Sequence, residues 1–343
     1  MRTLPLPLPP IYDAKNNSDF LYDNPLDKFI SEAQKWTRTH SITNSGLDAK
    51  VVKILNIDNQ RDFNHPEGGL FVGPGLPEAI RLSVEFFYKY LSIITEIVST
   101  LDTHYPAQIF FPQFHMDQNN DFVPSNIVIT EDDYQNGKYH CNPAIAKNIG
   151  MTPVQLNTQI KHYCHELEKN SKKNLYIWSH HCLLGTPGHT MVGVINEAIM
   201  FHQIVRNAAN HFEIKGGSPF TEHYSIFAPE VMTLYDGTPI PGVGRNTRLI
   251  ENLLSSDVII IMGQAMSHCV LESINDLVNE VKAQDPNLLK KIYVLEDCMA
   301  PVVIPGVVDF TDPTNTAFNE LRNEINIVKS TDPMETWPNI KLS

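Results

Sequence analysis

Three side chains of complementary chemistry close three separate apolar runs. Asp58 ends the run 51–58, Lys215 follows 212–214 and precedes Gly216-Gly217, and Cys269 lies in the Gly-containing turn after 258–262. A carboxylate can take a proton, an ammonium can steady an anionic pair, and a thiol becomes a nucleophile once deprotonated. Singly, each has a plainer explanation. A strand-end Asp caps turns, most lysines are solvated surface charges, and free Cys is often simply buried. Cys269, however, opens a helical pattern, where unpaired N–H groups and the helix dipole favour a thiolate and can hold an oxyanion. An acid, a cation and a thiol at the ends of three strand-like runs are harder to assign to structure alone.

To meet, those runs must be neighbours in one sheet. Residues 51–58 are mostly aliphatic or β-branched, the composition of a strand buried on both faces. Ile80, Val84, Phe87 and Leu91 then recur at helical spacing. Residues 93–101, 175–178 and 212–214 read as further strand edges, 258–262 and 292–295 as clear strands, and 247–254, 271–281 and 317–324 as helices. This alternation predicts an α/β fold, a doubly wound, mostly parallel sheet with helices on both faces, which binds ligands beyond the carboxyl ends of its strands. We expect one domain over 50–333, an N-terminal arm over 1–49 with a short amphipathic helix at 26–36, and a C-terminal tail over 334–343. A polar insertion occupies about 116–173. There His162 and Glu166 share a helix face while Cys164 points elsewhere, so the crowding of His162, Cys164 and His165 does not predict a second metal site.

Composition narrows the function. The 343 residues suffice for one elaborated domain, and 42% hydrophobic with 19% charged residues is ordinary globular material. A net charge of −13 without any long block of like charge repels phosphate backbones, which excludes nucleic acid as a partner. No apolar run approaches the roughly 20 residues of a membrane span. The Leu/Pro alternation of the first ten residues lacks a secretory apolar stretch, which predicts a cytoplasmic protein. Five cysteines without CxxC spacing argue against a disulfide framework. The expected partner is a small molecule, and a homo-oligomer is compatible with the composition.

Several separated blocks, in order, make the chain resemble the isochorismatase-like cysteine hydrolases, most closely the nicotinamidases. Asp58-Asn59-Gln60-Arg61-Asp62-Phe63 is similar to the family's opening Asp-x-Gln-x-Asp-Phe, Lys215-Gly216 to its Lys-Gly, and Gly263-x-Ala265-x-x-x-Cys269-Val270 to its nucleophile turn. Asp102-Thr103-His104 and Trp178-Ser179-His180-His181-Cys182, continuing to Gly185-Thr186-Pro187-Gly188, resemble its metal segments. The resemblance implies a triad of Asp58, Lys215 and Cys269, and an oxyanion hole from the N–H groups of Ala265 and Cys269 with a cis bond between Gln264 and Ala265. It implies a divalent metal, Zn or else Fe or Mn, held by Asp102, His104 and His181. Phe63 and Trp178 would sandwich a pyridine ring whose nitrogen meets the metal, with Tyr224-Ser225 nearby. The implied activity is hydrolysis of nicotinamide to nicotinate and ammonia through a thioester, a step of NAD salvage.

The chain also departs from the family pattern. The insertion lengthens the spacing between Asp102 and His181, the arm is additional, no further His follows Asp-x-His before His115, and His189 stands after Gly188 where a small residue is usual. Two rival readings follow: the same hydrolase acting on another small amide, carbamoyl or ureide compound, and a non-catalytic small-molecule binding protein that kept the pocket.

Overall fold

A computed structural model describes residues 4–23 and 26–342, so the first three residues of the Leu/Pro start lie outside it. The apolar runs become one six-stranded sheet: β1 (Val52–Ile57), β2 (Glu96–Asp102), β3 (Asn210–Lys215), β4 (Val258–Gly263), β5 (Ile292–Leu295) and β6 (Asn326–Val328). Its order is β6-β5-β4-β1-β2-β3 and every neighbouring pair is parallel. The order reverses between β1 and β4, and a crevice opens beyond the carboxyl ends of strands at such a reversal. Asp58 follows β1, and the turn carrying Cys269 follows β4.

Alternate side chains of the central strands serve opposite faces. Leu55, Ile57, Ile259 and Ile261 pack in one core; Val52, Ile54, Ile260 and Met262 pack in the other. Over the second face lie α1 (Leu26–Thr39), α2 (Leu76–Tyr90) and, later in the chain, the helix Gly193–Arg206. Over the first lie the insertion helix α3 (Pro153–Lys169) and, beyond α4 (Gly193–Arg206), the helices α5 (Thr247–Leu254), α6 (Leu271–Gln284) and α7 (Thr311–Leu321). Each reads locally. Phe29, Ala33 and Trp36 form the apolar stripe of α1, and Thr152 and Gln155 close a capping box ahead of α3, with Pro153 at its first position.

The structure corrects two expectations and adds two elements that the sequence reading lacked. Leu175–Ile177 is a strand, but it pairs antiparallel with Ile127–Ile129, outside the central sheet. The helix expected at 317–324 begins at Thr311 and ends at Leu321. β6 is too short to announce itself. Helix α4 has no periodic signature because its buried side includes Glu197, His202 and Arg206 as well as aliphatics, and no side chain caps its start.

The terminal segments are tied to the same core. Phe29 meets Phe201 of α4 edge-on at 5.7 Å, and Trp337 stacks on Phe86 at 5.8 Å. Tyr22 donates to Glu197 at 2.6 Å. Among the described residues no helix is long and apolar enough to cross a membrane. Asp48 pairs with the fully buried guanidinium of Arg206, which also donates to Ile94 O at 3.3 Å and to Thr43.

Removing one partner of a buried ion pair leaves a charge in low dielectric. Asp48→Ala is therefore expected to lower stability by about 3 kcal/mol, measured as a lower urea midpoint at unchanged slope. An unchanged midpoint would show that this contact contributes nothing.

Candidate active site

Parallel register brings the first two groups together. Asp102 and Lys215 are Cα partners at the ends of β2 and β3, and Lys215 Nζ lies 3.0 Å from Asp102 Oδ1. On the other side Nζ lies 3.0 Å from Asp58 Oδ2. It donates to His223 O at 2.7 Å and faces Cys269 Sγ at 3.6 Å. The oxygens of Asp58 and Asp102 and the Cys269 sulfur all lie within 4.8 Å of one another. Asp58 is completely buried and Lys215 nearly so.

Asp58 leaves β1 with a φ of 44°, in the left-handed region that non-glycine residues rarely adopt. Thr100 on the adjacent strand holds it there. Its hydroxyl oxygen accepts from Asp58 N–H at 3.0 Å and donates to Asp58 Oδ1 at 2.5 Å. The sequence reading missed Thr100, whose place beside the end of β1 comes from the strand register. Cys269 sits in a single π-helical turn, Met266–Val270, running directly into α6. The Gln264–Ala265 peptide is cis, and among the described residues the Ala265 N–H donates to no acceptor.

Burial pushes the Cys269 thiol well above its ordinary range, with Lys215 opposing and the two carboxylates adding to the rise. Complete desolvation thus outweighs the thiolate-favouring effect of the helix start. Burial likewise raises Asp58 despite Lys215, making it a stronger base than a surface carboxylate. Lys215 is raised: burial works against its charge, but Asp102 and Asp58 overcome it. Asp102 goes the other way. Burial would lift it, but His104 and Lys215 hold it well below the usual carboxylate range.

Asp102 also belongs to a second group. The ligand atoms of Asp102, His104 and His181 lie within 4.8 Å of one another, all buried. His104 Nδ1 meets Gly216 O at 3.1 Å and His181 Nδ1 meets Ser179 O at 2.7 Å. A carbonyl only accepts, so each neutral imidazole carries its proton on Nδ1 and a lone pair on Nε2. His104 Nε2 faces Asp102 Oδ2 at 2.9 Å, a contact satisfied either by a proton on Nε2 or by a cation that both atoms ligate. Burial lowers His181 to about 3, which keeps it neutral as a ligand must be. One carboxylate and two imidazoles suit Zn, Fe or Mn. These residues fit a divalent metal.

Glycine is required where the two groups touch. A Cβ on Gly216, whose φ is +86°, would stand 2.5 Å from Asp102 Oδ1. The His181 loop is fixed by Asp62, whose carboxylate accepts from Gly69 N at 2.7 Å and Cys182 N at 2.6 Å. A side chain at Gly188 would strike that carboxylate. His104 N donates to Cys182 O, and Leu184 N to His104 O, both at 3.0 Å, so the two metal segments are joined along their backbones despite the long insertion. Gln60 clamps the end of β2, accepting from Asp102 N at 2.8 Å and donating to Asp102 O at 2.7 Å.

The aromatic residues divide. Phe63 packs 5.4 Å from the His181 ring. Trp178 donates from Nε1 to Glu222 Oε1 at 2.7 Å and to Tyr224 Oη at 3.1 Å. Trp178 and Tyr224 both pack on His268, the neighbour of Cys269, at 5.3 and 5.2 Å. Glu222 was not anticipated; burial raises its carboxyl well above the ordinary range. Other histidines lie apart from the ligand cluster. Both ring nitrogens of His115 are engaged, with Tyr134 Oη and Ile109 O, His189 pairs with Thr103, and His162 and His165 meet Thr233 and Glu131.

No family model matches the chain, and no curated protein matches its sequence. The chain is similar to several solved structures at TM-scores below 0.5. One is an Acinetobacter baumanii nicotinamidase/pyrazinamidase, 18% identical, covering 82% of this chain and 98% of its own, at a TM-score of 0.49. Another is the yeast nicotinamidase bound to the inhibitor nicotinaldehyde, 20% identical, covering 81% and 100%, also at 0.49. A third is the Pyrococcus horikoshii pyrazinamidase in complex with zinc, 18% identical, covering 81% and 98%, at 0.43. These three solved structures are nicotinamidases and pyrazinamidases.

Proposed function

We propose that the protein is a cysteine-dependent amidohydrolase that cleaves a small carboxamide to acid and ammonia through a thioester, with nicotinamide as the substrate implied by the motif resemblance. The observation that carries this reading is the position of the Lys215 ammonium, 3.0 Å from Asp58 and 3.6 Å from the Cys269 sulfur in a buried site. Ligand binding alone has no use for a base, a cation and a thiol in mutual contact.

Asp58 takes the thiol proton, and Lys215 holds the resulting anion beside it. The Cys269 sulfur attacks the carboxamide carbon, and the oxygen that becomes negative is met by the N–H groups of Ala265 and Cys269. Protonated Asp58 then gives its proton to the departing nitrogen, releasing ammonia and leaving an acyl-thioester. Asp58, again a carboxylate, takes a proton from water as that water attacks the thioester, and the carboxylic acid leaves with the thiol restored. A divalent metal held by Asp102, His104 and His181 would supply a Lewis acid for orienting the substrate. Phe63, Trp178 and Tyr224 form the aromatic wall for a flat amide.

Cys269→Ala is expected to cut ammonia release from nicotinamide by about 10⁴-fold or more while the circular dichroism spectrum stays unchanged; near-normal release would refute the thioester. If nicotinamide and pyrazinamide are inert while an aliphatic or carbamoyl amide is cleaved, the substrate assignment fails and the chemistry stands. His181→Ala is expected to lose stoichiometric zinc by elemental analysis after dialysis, with the fold retained; zinc bound as in the unmodified protein would remove Asp102, His104 and His181 from the ligand role.

A further inference from the structure

Beside the outer strands β2 and β3 lies a groove of about 690 Å³ that the proposed reaction does not use. Leu101, Met191 and Phe212 give it apolar walls, and Asn196 of α4 adds an amide. Its charged lining is Arg61 and Asp23. The Arg61 side chain is only 6% exposed, so its cation sits in a protein wall rather than in water. Nε donates to Met191 O at 3.3 Å, and Nη2 donates to Tyr22 O and Asp23 Oδ1, both at 3.0 Å. Among the described residues Nη1 donates to no acceptor, and it is not one of the sealed-off polar atoms. The Asp23 side chain is 75% exposed and, among the described residues, is the only carboxylate lining the groove.

We propose that this groove binds a small monocarboxylate with an apolar body. The ligand carboxylate pairs with Arg61 in the place Asp23 now holds, and its body lies between Leu101, Met191 and Phe212. Three observations carry the assignment. A desolvated guanidinium with an open N–H pair selects a carboxylate over a neutral group, and it repels an amine. Asp23 shows that a carboxylate fits against Arg61, yet as an exposed partner it holds that place weakly, so a ligand that also covers Phe212 can displace it. Phe212 is 37% exposed on an edge strand, apolar area that an acetate cannot cover and a six-carbon acid can.

The test is isothermal titration calorimetry of the full chain with hexanoate and benzoate, and with hexylamine as the cationic control. Both acids are expected to bind and hexylamine is not. Asp23→Asn, a surface change, is expected to tighten binding about threefold by removing the tethered competitor. Phe212→Ser and Arg61→Lys are expected to weaken it, the latter about tenfold. Equal affinity in Asp23→Asn and the unmodified chain, or hexylamine binding as well as hexanoate, would overturn the proposal. So would affinity indifferent to Phe212→Ser, a result that stands even if Arg61→Lys fails to fold. Carboxylates that occupy the Cys269 pocket would not respond to Asp23 or Phe212, and ammonia release is not the readout, so failure of the proposed reaction leaves this result intact.

Discussion

One buried ammonium holds the site together. Lys215 is enclosed by Asp58, Asp102, a backbone carbonyl and a thiol, and the cost of desolvating its charge is several kcal/mol unless anions surround it. The dependence is mutual. Without the ammonium, two carboxylates would face each other in the same dry space, and one of them would have to take up a proton. Because Lys215 touches both, it joins the group containing the thiol to the group containing the imidazoles. Asp102 belongs to each, paired with Lys215 through Oδ1 and facing His104 through Oδ2.

The backbone delivers that arrangement with little freedom. Parallel register fixes Asp102 beside Lys215, Gly216 lets the chain turn against Asp102 without a side chain in the way, and the reversal of strand order between β1 and β4 leaves room for Cys269 opposite Asp58. Burial has a second effect. It raises the Asp58 carboxyl and the Cys269 thiol together, the direction in which the proposed proton transfer needs both. In that proposal a permanently ionised thiolate would leave Asp58 no proton to carry to a leaving group. The helix start at Cys269 is better understood as a source of N–H donors than as the cause of ionisation.

How much of this was legible in the sequence depended on whether one residue or several had to be read together. Asp58 and Lys215 stood out because each closes an apolar run, and Cys269 because its turn follows one, and the sheet order then placed those strand ends side by side. Strands with uninterrupted β-branched runs, such as 258–262, were plain. Helix α4 was not: its inner face holds Glu197 between Tyr22 and Tyr88, pairings made from distant segments that erase the hydrophobic period. Glu222 was invisible for the same reason, since its partners Trp178 and Tyr163 come from segments remote in sequence. Thr100 lies in mid-strand, and only the β1–β2 register reveals that its hydroxyl meets Asp58.

The six residues from Asp58 to Phe63 show why one short block carries so much of the pattern. Asp58 engages Lys215 and Thr100, Gln60 clamps the end of β2 and reaches His189 O, and Arg61 holds Tyr22 and Asp23. Asp62 fixes the loop that bears His181, and Phe63 packs on the His181 ring. Five side-chain directions within six residues would not serve one strand or one helix face. They become available where β1 gives way, through a left-handed residue, to a single helical turn, Arg61–Asn64. That turn follows β1 at the reversal of the sheet, with Gln60 bonded to the end of β2 and Asp62 and Phe63 set against the His181 loop, so one block reaches the segments that carry the residues of the proposed site.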